Sequence, residues 1–443
     1  MELVLIIAIG ILLGFIVFIH PTIGLTIILF CTLFFPEIEV GAVTTLTGLK
    51  PRGISLRPED FLMILAGLGW FANAAIRRKF PTILHNPLNV PILALMLVMI
   101  LTTIIGISQG TTTAGAGFFF ALKRIQYFIV FFLVIGNIRT LSDVRKSVLS
   151  FFIFSTIVAA WSIIEYLTLE AGRITGPFMR SGQPPILGGF FLTVIFLALG
   201  FFLKYKNWQQ RLPLFAILVL SFAVIIFTKT RSSYVGAFIG LIIFGIILRK
   251  PFLIVLPFLL FITMYYLFPM TIVEQMTSVR GVWQRGQERS FAPSWDARIQ
   301  SWKDAAPEIA KYPIFGQGAG SYSLAWIDNQ YMIDLLYMGI VGLGVFIWLL
   351  IRIFRSVYPF AKSRQANDKQ KDDGAASDYN FISALTAGYL GGLIALLVHA
   401  FAVTTFYNIR TMIPFWLLTG LVIAGQHLST EDKESQQPIP GHL

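Results

Sequence analysis

Runs of consecutive apolar residues, each long enough to cross a bilayer as a helix, recur along the whole chain. A hydrocarbon core about 30 Å thick needs about 20 such residues at 1.5 Å rise per residue. The runs fall near 2–19, 21–35, 58–76, 90–107, 120–136, 148–168, 185–203, 212–228, 232–248, 251–268, 331–351, 381–405 and 411–426. In lipid, a spanning segment has to satisfy its own backbone hydrogen bonds, so the runs are predicted to be helices. Of the 443 residues, 56% are hydrophobic and 13% charged, against about 25% charged in soluble domains.

The expected fold is therefore all-α, a polytopic membrane protein of about 12–13 transmembrane helices. The uncertainty in that count sits at His20-Pro21, where proline removes a helix hydrogen bond and leaves two short spans or one broken helix. Met1 to Ile19 has neither a basic leader region nor an A-x-A-like site, so the first run is expected to stay in the mature chain.

Spans 1 to 10 occupy residues 1–268. A large extracytoplasmic loop with short helices covers 269–330, and the C-terminal spans, with a cytoplasmic loop at 352–380, cover 331–427. A polar tail expected to be disordered covers 428–443. Alternate connections carry Arg77, Arg78 and Lys79; Arg139, Arg145 and Lys146; Lys204, Lys206 and Arg211; and Arg249-Lys250. Basic residues in short loops mark the cytoplasmic side, while long loops translocate regardless of charge. Setting the 269–330 loop aside thus places these connections in the cytoplasm and that loop outside. The net charge of +12 reads first as this asymmetry, with an anionic ligand as the alternative, and no nucleic acid is expected.

Within the long loop, Ser294 can cap a helix over Trp295–Lys311 with a kink at Pro307. Trp295, Ile299, Trp302, Ala306 and Ile309 then share one face, which fits a helix lying on the membrane surface or one packed on the bundle. Pro313, Gly316, Gly318 and Gly320 predict a tight turn after it.

Chemistry is easiest to place at charges the membrane would otherwise reject. Arg231 lies in Lys229-Thr230-Arg231-Ser232-Ser233, a junction too short to leave the membrane surface. Its planar fork of donors matches phosphate oxygens, although the side chain could simply snorkel to headgroups. Arg298 lies on the loop helix, and Arg173 and Arg180 on the 171–185 connection; taken singly, each reads as a solvated charge. Asp328 precedes the 331–351 span and can cap it, take a proton from an attacking hydroxyl, or both. Asp334 and His399 are ionisable groups within spans, either functional or hydrogen-bonded in the bundle.

No metal site is expected. The histidines are scattered, Cys31 is alone, and Glu37 and Glu39 are only a weak acidic pair of the sort that holds a divalent ion. No Walker loop or dinucleotide fingerprint occurs, and no cofactor is expected.

Four segments in fixed order resemble the O-antigen ligase and polysaccharide polymerase superfamily of bacterial inner-membrane proteins. They are Arg173-Ile174-Thr175-Gly176-Pro177-Phe178; Thr230-Arg231-Ser232-Ser233; Arg298 to Lys303 running into Pro313-Ile314-Phe315-Gly316-Gln317-Gly318; and Asp328-Asn329-Gln330-Tyr331 through Gly339-Ile340-Val341-Gly342. The resemblance implies metal-independent, inverting transfer of a glycan from a polyprenyl (undecaprenyl) diphosphate carrier to a glycan or lipid acceptor hydroxyl. The reaction would take place on the extracytoplasmic face of the cytoplasmic membrane. It implies Arg231, Arg298 and Asp328 as catalytic residues, and Arg173, Arg180, Gly318 and Tyr331 as substrate-binding ones. Ligases of the group carry histidine where this chain has Asp328. A transporter or flippase for an anionic lipid-linked saccharide would also use a basic cavity, and is the alternative.

Overall fold

The computed structural model describes residues 14–43, 52–76, 86–169, 172–178, 184–267, 295–321, 327–362 and 374–435. Its helices are α1 (Pro21–Phe34), α2 (Pro58–Ile76), α3 (Asn89–Ser108), α4 (Ala114–Asn137), α5 (Leu141–Thr168), α6 (Pro184–Lys204), α7 (Trp208–Thr228), α8 (Arg231–Leu248), α9 (Pro251–Leu267), α10 (Trp295–Lys311), α11 (Gln330–Lys362), α12 (Gly374–His399) and α13 (Ile409–Ser435). The polytopic helical architecture is as the apolar runs imply. Among the described residues, nine helices are long and apolar enough to cross a membrane, and shorter apolar helices lie at Thr22–Phe34 and Pro251–Thr263. Most of the first expected span, 2–19, lies outside the described residues.

The structure changes the expectation in four places. At His20 the backbone leaves helical geometry (φ −120°, ψ 75°) before Pro21 opens α1, so the chain is broken there as the proline predicts. Ile38–Val43 and Arg52–Leu56 form an antiparallel hairpin, β1 and β2, an addition to an otherwise helical fold. The segment lies between Pro36 and the helix-opening Pro58, is rich in Val and Ile, and is too short and polar to span lipid. The helices also outrun their apolar cores. Arg352 and Arg355 belong to α11, and α13 continues to Ser435, so the tail expected to be disordered from Leu428 is helical over 428–435. Leu428 packs on the core and the Ser429 hydroxyl donates to Gln426 O, which carries the helix past its last apolar turn.

The fourth change is in α11. Gly339 sits inside it with φ 63°, ψ −165°, so the helix is broken. The tight turn expected after α10 runs into that break. Gln317 N donates to Leu336 O (2.8 Å) and Gly318 N to Tyr337 O (3.0 Å), while Ile340 N and Val341 N donate to Pro313 O (2.9 Å) and Ile314 O (3.3 Å). The carbonyls of Leu336 and Tyr337 and the N–H groups of Ile340 and Val341 thus find partners on the inserted turn, the condition under which non-helical backbone is tolerated at membrane depth.

α10 forms over the predicted residues and packs against α11. Its buried alanine is Ala305, not Ala306, which is exposed. The side chain of Trp295 and the capping Ser294 lie outside the described residues.

α6, α12 and α13 are the inner helices, with 83%, 89% and 89% of their apolar windows buried. They approach through small residues: a Cβ on Gly200 would meet Gly388 N at 2.4 Å, and one on Gly236 of α8 would meet Ala395 O at 3.0 Å. With no water to expel between lipid-facing helices, such close backbone packing is what holds a bundle together.

Candidate functional site

The site is assembled where α5, α7, α8, α10 and α11 end or begin. α7 stops at Lys229, which takes the left-handed conformation (φ 48°), and α8 starts two residues later at Arg231. Such a junction leaves the last carbonyls of α7 without helical partners. Arg173 supplies one: its Nε donates to Thr228 O (3.0 Å) and its Nη2 to Thr230 Oγ1 (3.1 Å). A cation here also complements the negative end of the α7 dipole.

The loop that delivers Arg173 is itself tightly held. Glu165, in the last turn of α5, accepts the N–H groups of Thr175 (3.1 Å) and Gly176 as well as the Thr175 hydroxyl (3.2 Å). Gly176 has φ 57°, and a Cβ there would fall 2.3 Å from Ser162 Oγ, so only glycine fits the turn. A Glu165→Ala chain should therefore fold its bundle but lose the loop. Faster backbone exchange at 172–178, read by hydrogen exchange, is the expected result, and protection equal to the parent chain would count against this role for Glu165.

Arg231 is placed where stability alone would not put it. It is the first residue of α8, and a cation at a helix N-terminus opposes the positive end of the dipole. Beside it, the hydroxyls of Ser232 and Ser233 are buried with no hydrogen-bond partner among the described residues. A helix N-terminus, hydroxyls and a guanidinium are the kinds of groups from which phosphate sites are built, although Ser233 N already donates to Thr230 O (3.1 Å).

Arg298 completes the set from α10. Its charge and that of Arg231 both bear on Arg173, whose pKa is held below the usual guanidinium value, first by burial and then by these two cations. Guanidiniums that feel one another's charge repel, and a bound anion would relieve the repulsion. Asp328 is the carboxylate in contact, its Oδ2 3.7 Å from Arg298 Nε, with both side chains about 15% accessible (14% and 15%).

The alternative role for Asp328, capping α11, is filled by its neighbour. Asn329 Oδ1 accepts the N–H of Tyr331 (2.9 Å) and of Met332 (3.1 Å). Asp328 therefore stands one residue outside the cap, where it meets Arg298.

The remaining candidates are placed as follows. The Tyr331 hydroxyl donates to Leu397 O (2.8 Å) and its ring lies against Phe401, so it fixes α11 on α12 at the edge of the site. Gly318 belongs to the inserted turn, with φ 83°, where a Cβ would lie 3.2 Å from Thr102 O on α3; its visible role is packing. Arg180 lies outside the described residues. His399 is fully buried at the end of α12, its Nδ1 2.8 Å from Thr405 Oγ1. Glu37 is paired with Arg57, the side chain of Glu39 lies outside the described residues, and no group of three potential metal ligands occurs among the described ones.

Sequence reading missed a second polar constellation on the other side of the first turns of α11. There Asp334 accepts from Arg124 Nη2 (2.9 Å), the Tyr407 hydroxyl (2.9 Å) and Gln330 Nε2 (3.0 Å), and Arg124 also donates to the Tyr407 hydroxyl. The signal was present in Arg124 and Asp334, two charges within apolar runs, but their pairing across more than 200 positions left no local trace.

No curated protein matches the chain. Residues 216–347 match the family described as O-Antigen ligase. That span takes in most of α7, all of α8, α10 and the N-terminal half of α11, and with them Arg231, Arg298 and Asp328. This match supports the resemblance to the O-antigen ligase and polysaccharide polymerase superfamily over that part of the chain, and the polytopic helical fold agrees with it.

Proposed function

We propose that this protein transfers a glycan from a polyprenyl diphosphate carrier to an acceptor hydroxyl at the extracytoplasmic surface of the bacterial cytoplasmic membrane. The observation that carries the reading is that Arg173, Arg231 and Arg298 feel one another's charge at one end of the bundle, with the Asp328 carboxylate 3.7 Å from Arg298 Nε.

The roles follow from the chemistry. Arg231 and Arg298 grip the diphosphate, with Arg173 held beside them through the end of α7. The acceptor oxygen attacks the anomeric carbon while the bond from that carbon to the diphosphate oxygen breaks, and the electron pair leaves with the diphosphate. The acceptor proton passes to Asp328. The departing diphosphate gains one negative charge and has little need of a proton, and fixed guanidiniums stabilise that charge without reorganising. One displacement inverts the anomeric centre, and no step calls for a metal. Whether the acceptor is a growing chain or a finished lipid core divides polymerase from ligase; the site chemistry is common to both.

The test is turnover by purified full-length chain in nanodiscs, given lipid-linked donor and acceptor, with release of polyprenyl diphosphate as the readout. Arg231→Ala should lower turnover by about 10²–10³-fold, the range for losing one preorganised charge donor, and EDTA should leave the parent chain unaffected. Turnover undiminished in Arg231→Ala and in Arg298→Ala would overturn the assignment. Acceptor-independent movement of the donor across sealed liposomes would favour the transporter reading.

A further inference from the structure

A cavity of about 150 Å³ opens between α4, the first turns of α11 and the connection from α12 to α13. One water needs about 10–15 Å³ by the same measure, so there is room for roughly ten waters or a small organic group. Its walls include Phe120, Lys123, Tyr127, Tyr337, Thr404 and Tyr407, with Arg124 at its base.

The charges around it are already matched. Lys123 is paired with Asp60, and Arg124 with Asp334, so the cavity presents no excess cation to an anion. It offers aromatic faces, a threonine and hydrogen-bonding groups held in place. Tyr127 OH donates to Tyr407 O (3.0 Å), and the Tyr407 ring lies under the Arg124 guanidinium at 4.1 Å. Mostly aromatic walls with a few fixed polar groups suit an uncharged polyhydroxylated ring, whose flat apolar face stacks while its hydroxyls find donors and acceptors.

Its position relative to the arginines gives it a role. Ile333 and Tyr337 line the cavity, and Gln330 and Asp334 share their face of α11 at helical spacing. Tyr331 leans the other way, towards α12, and Asp328 meets Arg298 of α10 at the N-terminal tip. The diphosphate-binding arginines and the cavity thus flank one helix, with the carboxylate at its end. In a single displacement the nucleophile arrives on the face opposite the leaving group. We infer that this cavity is the acceptor subsite, holding an uncharged sugar residue of the acceptor glycan next to the one whose hydroxyl reaches Asp328. For the word acceptor, the inference rests on the transferase reading; for the presence of a sugar site, it rests on the cavity alone.

The two are separable by experiment. Saturation-transfer NMR on the full-length chain in nanodiscs, with the methyl glycosides of glucose, galactose, N-acetylglucosamine and rhamnose as probes, reads sugar binding without turnover. At least one glycoside should bind the parent chain. Thr404→Leu, which fills the cavity, or Phe120→Ala, which removes an aromatic wall, should weaken that binding at least tenfold, and Arg231→Ala should retain it. In the turnover assay, Thr404→Leu should raise the acceptor KM with kcat nearly unchanged. Absence of binding by every probe, or binding equal to the parent chain in both cavity variants, would overturn the subsite. Sugar binding that depends on the cavity in a chain that transfers nothing would leave the subsite standing and remove the transferase reading instead.

Discussion

Replacing Asp328 by asparagine is expected to lower glycan transfer by about 10²–10⁴-fold, the usual contribution of a positioned general base, while leaving donor binding close to that of the parent chain. Asparagine keeps the shape and can still meet Arg298, so the bundle and the loop helix should stay in place. Only the capacity to take a proton is lost. The structure makes this substitution clean because Asn329, not Asp328, caps α11, so a drop in rate cannot be assigned to a frayed helix. Single-turnover kinetics with preloaded donor is the measurement. A loss that appears only as a higher donor KM in steady-state turnover would show that Asp328 merely orients Arg298, and an unchanged rate would remove it from the chemistry. Asp328→His, which installs the residue that ligases of this group carry, should recover part of the rate.

The second large effect is structural and lies far from the arginines in sequence. Gly339→Val should abolish the native fold, seen as loss of monodisperse protein after extraction and of cooperative thermal unfolding. Gly339 has φ 63°, and a Cβ there would lie 2.2 Å from Ile314 O. A β-branched residue is doubly excluded, by its own backbone preference and by the inserted turn. Expelling the turn would leave the N–H groups of Ile340 and Val341 and the carbonyls of Leu336 and Tyr337 unpaired at membrane depth, each at a cost of several kcal/mol. Gly344→Ala is the control: nothing lies within 4 Å of a Cβ there, and the helix should tolerate it. Equal stability of the two variants would mean that the turn is not needed to hold the break.

These two cases mark what local sequence can and cannot carry. The spans were legible because burial in lipid demands uninterrupted apolar length, and the ends of α2, α6 and α8 fall within a residue or so of the apolar runs at 58–76, 185–203 and 232–248. The loop helix was legible for a different reason, since its tryptophans and alternating charges follow helical spacing over Trp295–Lys311. Arg231 stood out because a charge at a short junction between two spans needs a reason to be there.

The break in α11 left almost no such trace. Gly339 is one glycine among several in an apolar run, and what makes it a break is hydrogen bonding between the helix and a turn 19 to 27 positions earlier. The division of labour between Asp328 and Asn329 was hidden for a similar reason. Both are good capping residues, and only the register of the helix start decides between them. The Arg124, Asp334 and Tyr407 constellation needed three distant segments to meet before any of its members looked more than incidental.

The broken helix also bears on how the two halves of the site stay aligned. Gln317 and Gly318 are threaded into α11 at Leu336 and Tyr337, and Gln317 Nε2 reaches back to Glu308 O in α10 (2.9 Å). α10 carries Arg298; α11 carries the cavity wall and has Asp328 at its head. These hydrogen bonds tether α10 to α11, and under the proposed function they would hold Arg298, which grips the leaving phosphate, in register with Asp328, which receives the proton.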